Sequence, residues 1–146
     1  MKIIQVVGRS NSGKTTFIKH LIPELKKTGT VSVIKHLGDH DYHLEEGKDT
    51  TGFFDAGADI AIGIDAHKSV IVLRDNVLDD ALRLLAGQGI DYVVIEGFKH
   101  YPFPKIVIGT LEIDNCVLNN PSISQVVTNL EIFETYIRKT QPENYT

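Results

Sequence analysis

The sequence contains a single cysteine, Cys116, so it cannot form an intramolecular disulfide. We expect that residue to be a small buried hydrophobic side chain, the usual role of a lone cysteine. A chain of 146 residues, 42% hydrophobic and 23% charged, can bury a sufficient core without disulfides or a structural metal. We expect one domain over residues 1–140 and a frayed polar tail at 141–146.

Long apolar runs are also missing, because no stretch approaches the roughly 18 to 20 residues that a membrane-spanning helix needs. The opening residues 1–7 lack the pattern of a secretory signal. The net charge of −4 provides no basic excess of the kind that nucleic acid binding requires. We therefore expect a soluble cytoplasmic protein with neither membrane nor nucleic acid partners.

Apolar strands alternate with amphipathic helices through the first half of the chain, which is typical of a doubly wound α/β fold. The turn at 65–68 separates two β-branched runs and predicts an antiparallel hairpin at one edge of a mostly parallel sheet. We expect Asp49 to cap the second helix. The predicted strands cover 3–7, 31–34, 60–64, 69–73, 92–95, 105–108 and 126–127, and the predicted helices cover 14–27, 49–58, 78–86 and 130–138.

The strongest motif matches the phosphate-binding pattern G-x-x-x-x-G-K-[ST] in full and lies between a buried strand and an amphipathic helix. Its glycines let the backbone aim N–H groups at phosphate oxygens, and the helix start adds a positive dipole end. We expect Lys14 to reach the β- and γ-phosphates, Thr15 to bind Mg²⁺ and Thr16 to contact the α-phosphate. The fold is therefore predicted to be of the P-loop NTPase type. The motif reads Gly8, Arg9, Ser10, Asn11, Ser12, Gly13, Lys14, Thr15.

Glu96 directly follows the buried strand predicted at 92–95, at the sheet edge where ligands of α/β proteins bind. P-loop proteins place an acidic residue at such a position to hold Mg²⁺ or its water shell. Aspartate is commoner there, and the longer glutamate suits contact through water. We predict that Lys14 and Glu96 carry the catalytic roles, with Mg²⁺ held by Thr15 and Glu96.

The polar segment at 37–48 follows His36 and adds His40 and His43. Its spacing is not a compact zinc signature and no cysteine pair assists, which counts against a zinc site. Two other interpretations stay open. A carboxylate of the segment, Asp39 or Asp41, supports Mg²⁺ or a catalytic water, or the segment is a solvated loop.

Base specificity is weakly encoded, because the N-K-x-D sequence that reads guanine in many GTPases is absent. An amide at Thr128–Asn129, after the last predicted strand, is a candidate base reader by analogy. Candidates for further phosphate contacts are Lys35, Lys48, Lys99 and Lys105, although each alone is more often a solvated charge.

Several segments, taken in order, resemble the molybdopterin-guanine dinucleotide biosynthesis adaptor protein B (MobB) family. The P-loop is shared with many proteins, whereas the ordered set of segments is much more specific. The resemblance runs from the amino terminus to about Ile108 and continues more weakly to the last predicted helix. The matching segments are Gly8–Thr16, Val33–His36, Gly47–Thr50, Ala56–Ala58, Val94–Lys99 and Pro104–Ile106.

The resemblance implies a homodimeric weak GTPase that binds GTP and Mg²⁺ and assists the molybdopterin guanylyltransferase, which joins GMP to molybdopterin. Carried over by position, phosphate-binding roles fall on Gly8–Thr16, and a Mg²⁺-linked role falls on Glu96 in the E-G-F-K segment. Lys48 and Asp49 match a G-K-D segment whose role is undefined. Residues 51–54 depart from the arginine-bearing helix of relatives, so no phosphate contact is carried over to that helix.

Two other functions compete with an accessory GTP-binding protein. A P-loop small-molecule kinase, or an ATP-dependent ligase of the dethiobiotin-synthetase type, shares the loop and the E-G segment, but no lid segment stands out. A structural or metal-sensing module would instead use the histidine-rich segment. Transfer of γ-phosphate to an added small molecule would favour the catalyst, and metal in the purified protein would favour the sensor.

Overall fold

The computed structural model describes residues 1–38 and 40–137. Asp39, Arg138 and the tail predicted at 141–146 lie outside the described residues. The chain divides into two compact units: Met1–His36 with the described residues from Leu82 onward, and Leu37–Ala81. Among the described residues, no helix combines the length and the apolar character that crossing a membrane requires.

The described elements confirm the predicted α/β fold class. The strands are β1 (Lys2–Val7), β2 (Val31–Lys35), β3 (Ile60–Ile64), β4 (Ser69–Leu73), β5 (Tyr92–Glu96), β6 (Lys105–Val107) and β7 (Cys116–Asn119). The helices are α1 (Lys14–Leu25), α2 (Asp49–Asp55), α3 (Leu78–Gly87) and α4 (Ile123–Val127), and a 3₁₀ turn covers Leu130–Ile132. One parallel sheet has the order β2-β5-β1-β6-β7, and the hairpin β3–β4 forms an antiparallel sheet of its own rather than an edge of the parallel sheet.

The centre of the parallel sheet is β1, which lies between β5 and β6 and is buried along almost its whole length. Helix α1 covers this sheet with an apolar stripe at spacings of three and four residues, formed by Ile18, Leu21 and Leu25. The stripe packs in one cluster with Ile4 and other buried side chains of the sheet. The segment between β1 and α1 is therefore held at both ends by well-packed elements.

Thr30 and Asp91 tie the start of β2 to the start of β5. The Asp91 Oδ2 atom accepts hydrogen bonds from the Thr30 backbone N–H at 2.7 Å and from the Thr30 hydroxyl at 2.9 Å. The backbone bond first, and the hydroxyl bond second, hold the pKa of the Asp91 carboxyl below its ordinary value of 3.8, because both favour the charged form.

This pair predicts a loss of stability in acid. Because the folded-state pKa lies below the unfolded one, the Asp91 bonds stabilise the fold above pH 3.8, and their contribution is lost as the pH falls through the folded-state pKa. We expect Asp91→Ala to be less stable than the wild type at neutral pH, with the difference shrinking below pH 3.8. Urea unfolding across this range measures the effect, and a difference that does not change with pH would contradict it.

The smaller unit contains α2 and the β3–β4 hairpin. The Asp65 carboxylate closes the hairpin turn by accepting from the backbone N–H groups of His67 and Lys68 at 2.7 and 2.8 Å. Arg74 follows β4 and lies over the Phe54 ring at 4.1 Å, and its Nε donates to the Ala58 carbonyl. These contacts join the hairpin to the end of α2 within this unit.

Residues 126–127 belong to helix α4, so the strand predicted there is wrong. The Ser122 Oγ accepts from the Gln125 backbone N–H at 3.2 Å, and the Gln125 side chain accepts from the Ser122 N–H at 2.8 Å. This reciprocal capping box outweighs the strand preference of two consecutive valines. The last described strand is instead β7. The described part of the helix predicted at 130–138 contains only a 3₁₀ turn at Leu130–Ile132.

Two local predictions are also wrong. Helix α2 begins at Asp49 with Lys48 as its N-cap residue and without a side-chain cap, so Asp49 lies inside the first turn. Its carboxylate still lies near the positive end of the helix dipole. Cys116 is exposed rather than buried, because it begins β7 at the edge of the parallel sheet.

Candidate functional site

The loop Gly8–Gly13 joins the buried strand β1 to helix α1. Asn11 and Gly13 have left-handed backbone conformations, with φ of 58° and 95°. Such residues turn the chain sharply, so that neighbouring N–H groups can face a common hollow. Helix α1 begins directly at Lys14, and its first unpaired N–H groups add to the same positive end. The loop therefore has the geometry of an anion-binding P-loop.

Gly8 is required by a close approach of two backbone segments. A Cβ atom at this position would lie 2.4 Å from the Ile108 carbonyl oxygen and 2.5 Å from the Ser12 Oγ. The Ile108 oxygen is part of the backbone that follows β6, so it cannot move aside as a side chain could. Any larger residue would push the loop away from β6.

The Lys14 side chain folds back across the loop. Its Nζ donates a hydrogen bond to the Arg9 carbonyl oxygen at 2.6 Å. This bond holds a positive charge at the mouth of the hollow. A neutral carbonyl is a weaker partner for an ammonium group than a phosphate oxygen, so a bound phosphate would compete successfully for Lys14.

Glu96 is the last residue of β5 and lies beside the loop, and it is only 8% exposed. The Thr15 hydroxyl donates to Glu96 Oε2 at 3.1 Å, with Oε1 at 3.4 Å, and the Lys35 ammonium lies 3.6 Å from Oε1. Strand β5 neighbours β1 in the parallel sheet, and this register brings the carboxylate to the start of α1. The structure thus places Thr15 and Glu96 together, as the sequence predicts.

The Thr15 and Glu96 pair fits a magnesium ion. Mg²⁺ prefers hard oxygen donors and commonly uses one or two protein ligands together with phosphate oxygens and water. A hydroxyl and a carboxylate in hydrogen-bond contact, with the carboxylate partly shielded from solvent, supply such donors. The positive charge of Lys35 partly offsets the negative charge of this carboxylate.

The loop and Glu96 line one cleft of about 400 Å³, within the range of small-molecule sites. The Ser12 Oγ is buried and has no hydrogen-bond partner among the described residues, and a phosphate oxygen is a group that would satisfy it. The hollow is therefore open and suited to an anion. Its lining residues are Ser10, Asn11, Ser12, Gly13, Lys14, Thr15, Thr16, Lys35 and Glu96.

The described part of the histidine-rich segment contains no cluster of metal ligands. Among the described residues, no group of three or more His, Cys, Asp or Glu side chains is placed to hold a metal ion. Asp39 lies outside the described residues. Asp41 belongs to the smaller unit and Glu96 to the larger one, so a role for Asp41 at the magnesium site stays a prediction.

The candidate lysines differ in their surroundings. Lys35 lines the cleft, Lys48 pairs with Glu45 at 3.5 Å in the smaller unit, and Lys99 is exposed. Lys105 is instead 2% exposed, and its Nζ donates to the Tyr101 and Phe103 carbonyls at 2.5 and 3.1 Å. Burial lowers the pKa of the Lys105 ammonium, against a smaller opposing effect of Asp114. Lys105 is thus neither a solvated charge nor a phosphate ligand.

The placement predicted for Thr128–Asn129 is wrong, because these residues follow helix α4 rather than a strand. Their side chains donate hydrogen bonds to carbonyls of that helix, and the Asn129 Nδ2 donates to the Gln125 carbonyl at 2.7 Å.

Asn120, which follows β7, is a polar residue that the sequence patterns above do not single out. Its amide exchanges two hydrogen bonds with the Gly109 backbone, at 2.7 and 3.0 Å, and joins the ends of β6 and β7. The pair Asn119-Asn120 before a proline was the available signal.

A glycine loop between the central parallel strand and a helix, with a hydroxyl and a carboxylate beside it, defines a P-loop α/β protein. The sequence model of one such family, described as molybdopterin guanine dinucleotide synthesis protein B, matches residues 3–129. The chain belongs to this family.

Individual relatives agree with the family match. A Bacillus subtilis protein, named probable molybdopterin-guanine dinucleotide biosynthesis adapter protein, is 39% identical over 110 residues, 73% of this chain and 64% of that protein. The molybdopterin-guanine dinucleotide biosynthesis adapter protein of Haemophilus influenzae is 37% identical over 112 residues, 73% of this chain and 62% of that protein. The crystal structure of Bacillus subtilis MobB gives a TM-score of 0.69 at 26% identity, covering 93% of this chain and 100% of that one. The chain spans less than two thirds of the length of the two curated relatives.

Proposed function

We propose that this protein is a GTP-binding accessory protein with weak Mg²⁺-dependent GTPase activity. It assists the molybdopterin guanylyltransferase that attaches GMP to molybdopterin. The observation that carries the proposal is the single cleft in which the open loop, Lys14 and the Thr15–Glu96 pair meet. The adapter names of the relatives support the pathway, and the guanine in those names supports GTP as the nucleotide.

In the proposed mechanism the backbone N–H groups of Gly8–Gly13 and the start of α1 bind the phosphates. Lys14 leaves the Arg9 carbonyl and binds the β- and γ-phosphate oxygens. Thr15 and Glu96 would hold Mg²⁺, which would neutralise charge that develops on the phosphates. The Ser12 and Thr16 hydroxyls supply further donors at the edge of the cleft.

The composition of the cleft explains why hydrolysis should be slow. Phosphoryl transfer depends mostly on positive charge aimed at the transition state, which an arginine finger often supplies. Among the described residues, the lining of the cleft includes no arginine, and Glu96 is its one acidic residue. Arg9 is exposed on the loop itself, which makes it the candidate for an arginine finger supplied to a second copy. Tight binding with slow turnover is the behaviour expected of an adapter.

The experiment is single-turnover GTP hydrolysis with and without a molybdopterin guanylyltransferase. We expect slow hydrolysis alone and a change in rate or in nucleotide affinity when the transferase is present. Brisk hydrolysis that the transferase leaves unaffected would argue against an adapter. Transfer of γ-phosphate to an added small molecule would instead support the kinase or ligase. The cytoplasmic location stays a prediction.

We also propose that the protein is a homodimer through the β3–β4 hairpin. One face of this hairpin carries Ile60, Ile62, Ile64 and, opposite Ile62, Ile71, and each is at least half exposed. Contiguous exposed apolar side chains of this kind mark interaction surfaces. A second copy would cover them with the same face.

The prediction is that Ile62→Lys produces a monomer, because a lysine in the middle of the isoleucine face would be buried without a partner. Light scattering should give twice the chain mass of 16.2 kDa for the wild type and one chain mass for the variant. Thr110→Lys, at an exposed position of the larger unit, is the matched control and should remain dimeric. A monomeric wild type at micromolar concentration would contradict the proposal.

A further inference from the structure

Two polar side chains lie side by side inside the parallel sheet, beneath the segment that follows Glu96. Gln5 is 0% exposed and Lys105 is 2% exposed, and the two are register partners on β1 and β6. Burying an amide and an ammonium group is unfavourable unless each finds hydrogen-bond partners. The side chains that share the Gln5 face of β1 are those of Ile3 and Val7, both 0% exposed, so an apolar residue at position 5 would suit its surroundings.

Gln5 uses its amide to hold the turn directly after Glu96. Its Nε2 donates to two consecutive carbonyls, of Gly97 at 2.8 Å and of Phe98 at 2.7 Å. Both of these residues have positive φ, 97° and 52°, which is an unfavourable conformation for phenylalanine. The Gln5 Oε1 atom is buried without a hydrogen-bond partner among the described residues. Only its donor end is used, and it is used for this turn.

Lys105 holds the far end of the same segment through the Tyr101 and Phe103 carbonyls. Gln5 and Lys105 together therefore donate hydrogen bonds to four carbonyls of this segment, those of Gly97, Phe98, Tyr101 and Phe103. The aromatic rings of the segment form a row: Phe98 stacks on His36 at 4.3 Å and meets Tyr101 edge to face at 5.7 Å. The segment is therefore fixed both by hydrogen bonds from Gln5 and Lys105 and by contacts between its aromatic rings and His36.

The turn is connected to Glu96 through the backbone. The Gly97 N–H donates to the Val6 carbonyl at 3.0 Å, and the Glu96 carbonyl accepts from the His36 N–H at 2.9 Å. A Cβ at Gly97 would lie 2.9 Å from the His36 Cβ, so the chain has little room to shift there. We expect a change in the Gly97–Phe98 turn to be transmitted through the backbone to Glu96 and to move its carboxylate away from the Thr15 hydroxyl.

We propose that Gln5 and Lys105 are positioning residues, which fix the turn at Gly97–Phe98 so that the Glu96 carboxylate meets the Thr15 hydroxyl. The proposal rests on the proposed function for its second half, in which that pair holds Mg²⁺. Gln5 has the larger effect, because its two bonds lie next to Glu96. Neither residue is among the described residues that line the cleft.

The principal test is Gln5→Met, which keeps the length of the side chain and removes both donors. The first measurement is amide hydrogen exchange of the nucleotide-free protein. We expect the Gly97 and Tyr101 amides to exchange about tenfold faster or more, while amides of the β3–β4 hairpin keep their wild-type rates. Ile106→Val, a buried aliphatic change on β6, is the matched control and should leave the turn protected. Unchanged exchange in Gln5→Met would overturn the proposal.

The second measurement is the gain in GTP affinity when Mg²⁺ replaces EDTA. We expect this gain to fall about tenfold or more in Gln5→Met, as for outer residues that orient metal ligands, while affinity in EDTA stays within about twofold. Equal losses with and without Mg²⁺ would show a merely structural role. In a Glu96→Gln background, Gln5→Met should have no further effect on the gain.

These two measurements separate the proposal from the proposed function. A wild type without any Mg²⁺-dependent gain would refute the magnesium site, and the exchange rates would still decide whether Gln5 holds the turn. Where Gln5→Met does not fold, Lys105→Met is the second variant, because it removes the donors at the far end of the segment. It should speed exchange at Tyr101 more than at Gly97, and the reverse order would contradict its assigned contacts.

Discussion

Lys14→Ala should lose nucleotide binding while the protein remains folded. Within the described part of the chain, the ammonium group donates a hydrogen bond only to the exposed Arg9 carbonyl, so its removal leaves no buried group there unsatisfied. In the complex the same group would face the β- and γ-phosphates inside a cleft. Truncating one partner of such a charge pair costs about 2–5 kcal/mol, so we expect GTP affinity to fall about 30-fold or more.

Calorimetric titration with GTP and Mg²⁺ measures this loss, and circular dichroism reports whether the variant is folded. Lys19→Ala is the matched control, because Lys19 is exposed on the same helix. The control should bind GTP as the wild type does. Retained affinity in folded Lys14→Ala would show that the loop is not the phosphate site.

Glu96→Gln should separate magnesium binding from phosphate binding. The amide keeps the shape of the side chain and its oxygen can still accept from Thr15, but the negative charge that attracts Mg²⁺ is gone. We expect the affinity gain from Mg²⁺ to fall about 10- to 100-fold, with hydrolysis lost alongside it. Affinity for GTP in EDTA should be unchanged or higher, because a negative charge near the phosphates is removed.

The measurement is the same titration at a series of Mg²⁺ concentrations. Glu112→Gln, an exposed glutamate of the larger unit, controls for the change of net charge and should keep the full gain. Thermal unfolding should find Glu96→Gln at least as stable as the wild type, because it removes a carboxylate that is largely buried. A full Mg²⁺ gain in Glu96→Gln would place the metal elsewhere.

The parts of the site that could be predicted are encoded in short stretches of sequence. The P-loop motif is contiguous, and the apolar run before it and the helical spacing after it identify its place in the fold. Glu96 could be predicted for the same reason, because it directly follows an apolar run that is recognisable as a buried strand. The relation between Thr15 and Glu96 follows from the pairing of neighbouring parallel strands at the sheet centre.

The remaining features depend on contacts between distant residues. Gln5 lies within an apolar run, and its partners are more than ninety residues away at Gly97 and Phe98. Strand β7 is short and lies at the sheet edge, so it lacks the apolar pattern by which buried strands are recognised. The two consecutive valines of α4 have the sequence preference of a strand, but the Ser122–Gln125 capping box favours a helix there. Local sequence preferences alone do not show whether the strand preference or the helix cap determines the conformation of such a segment.

The most direct test of the account is a calorimetric titration of the wild type with GTP and with ATP, in Mg²⁺ and in EDTA. The account predicts one site per chain, higher affinity for GTP than for ATP, and a further gain from Mg²⁺. Preference for ATP would keep the phosphate site and favour the kinase or ligase. Failure of both nucleotides to bind would contradict the central claim that the Gly8–Thr15 loop is a nucleoside triphosphate site.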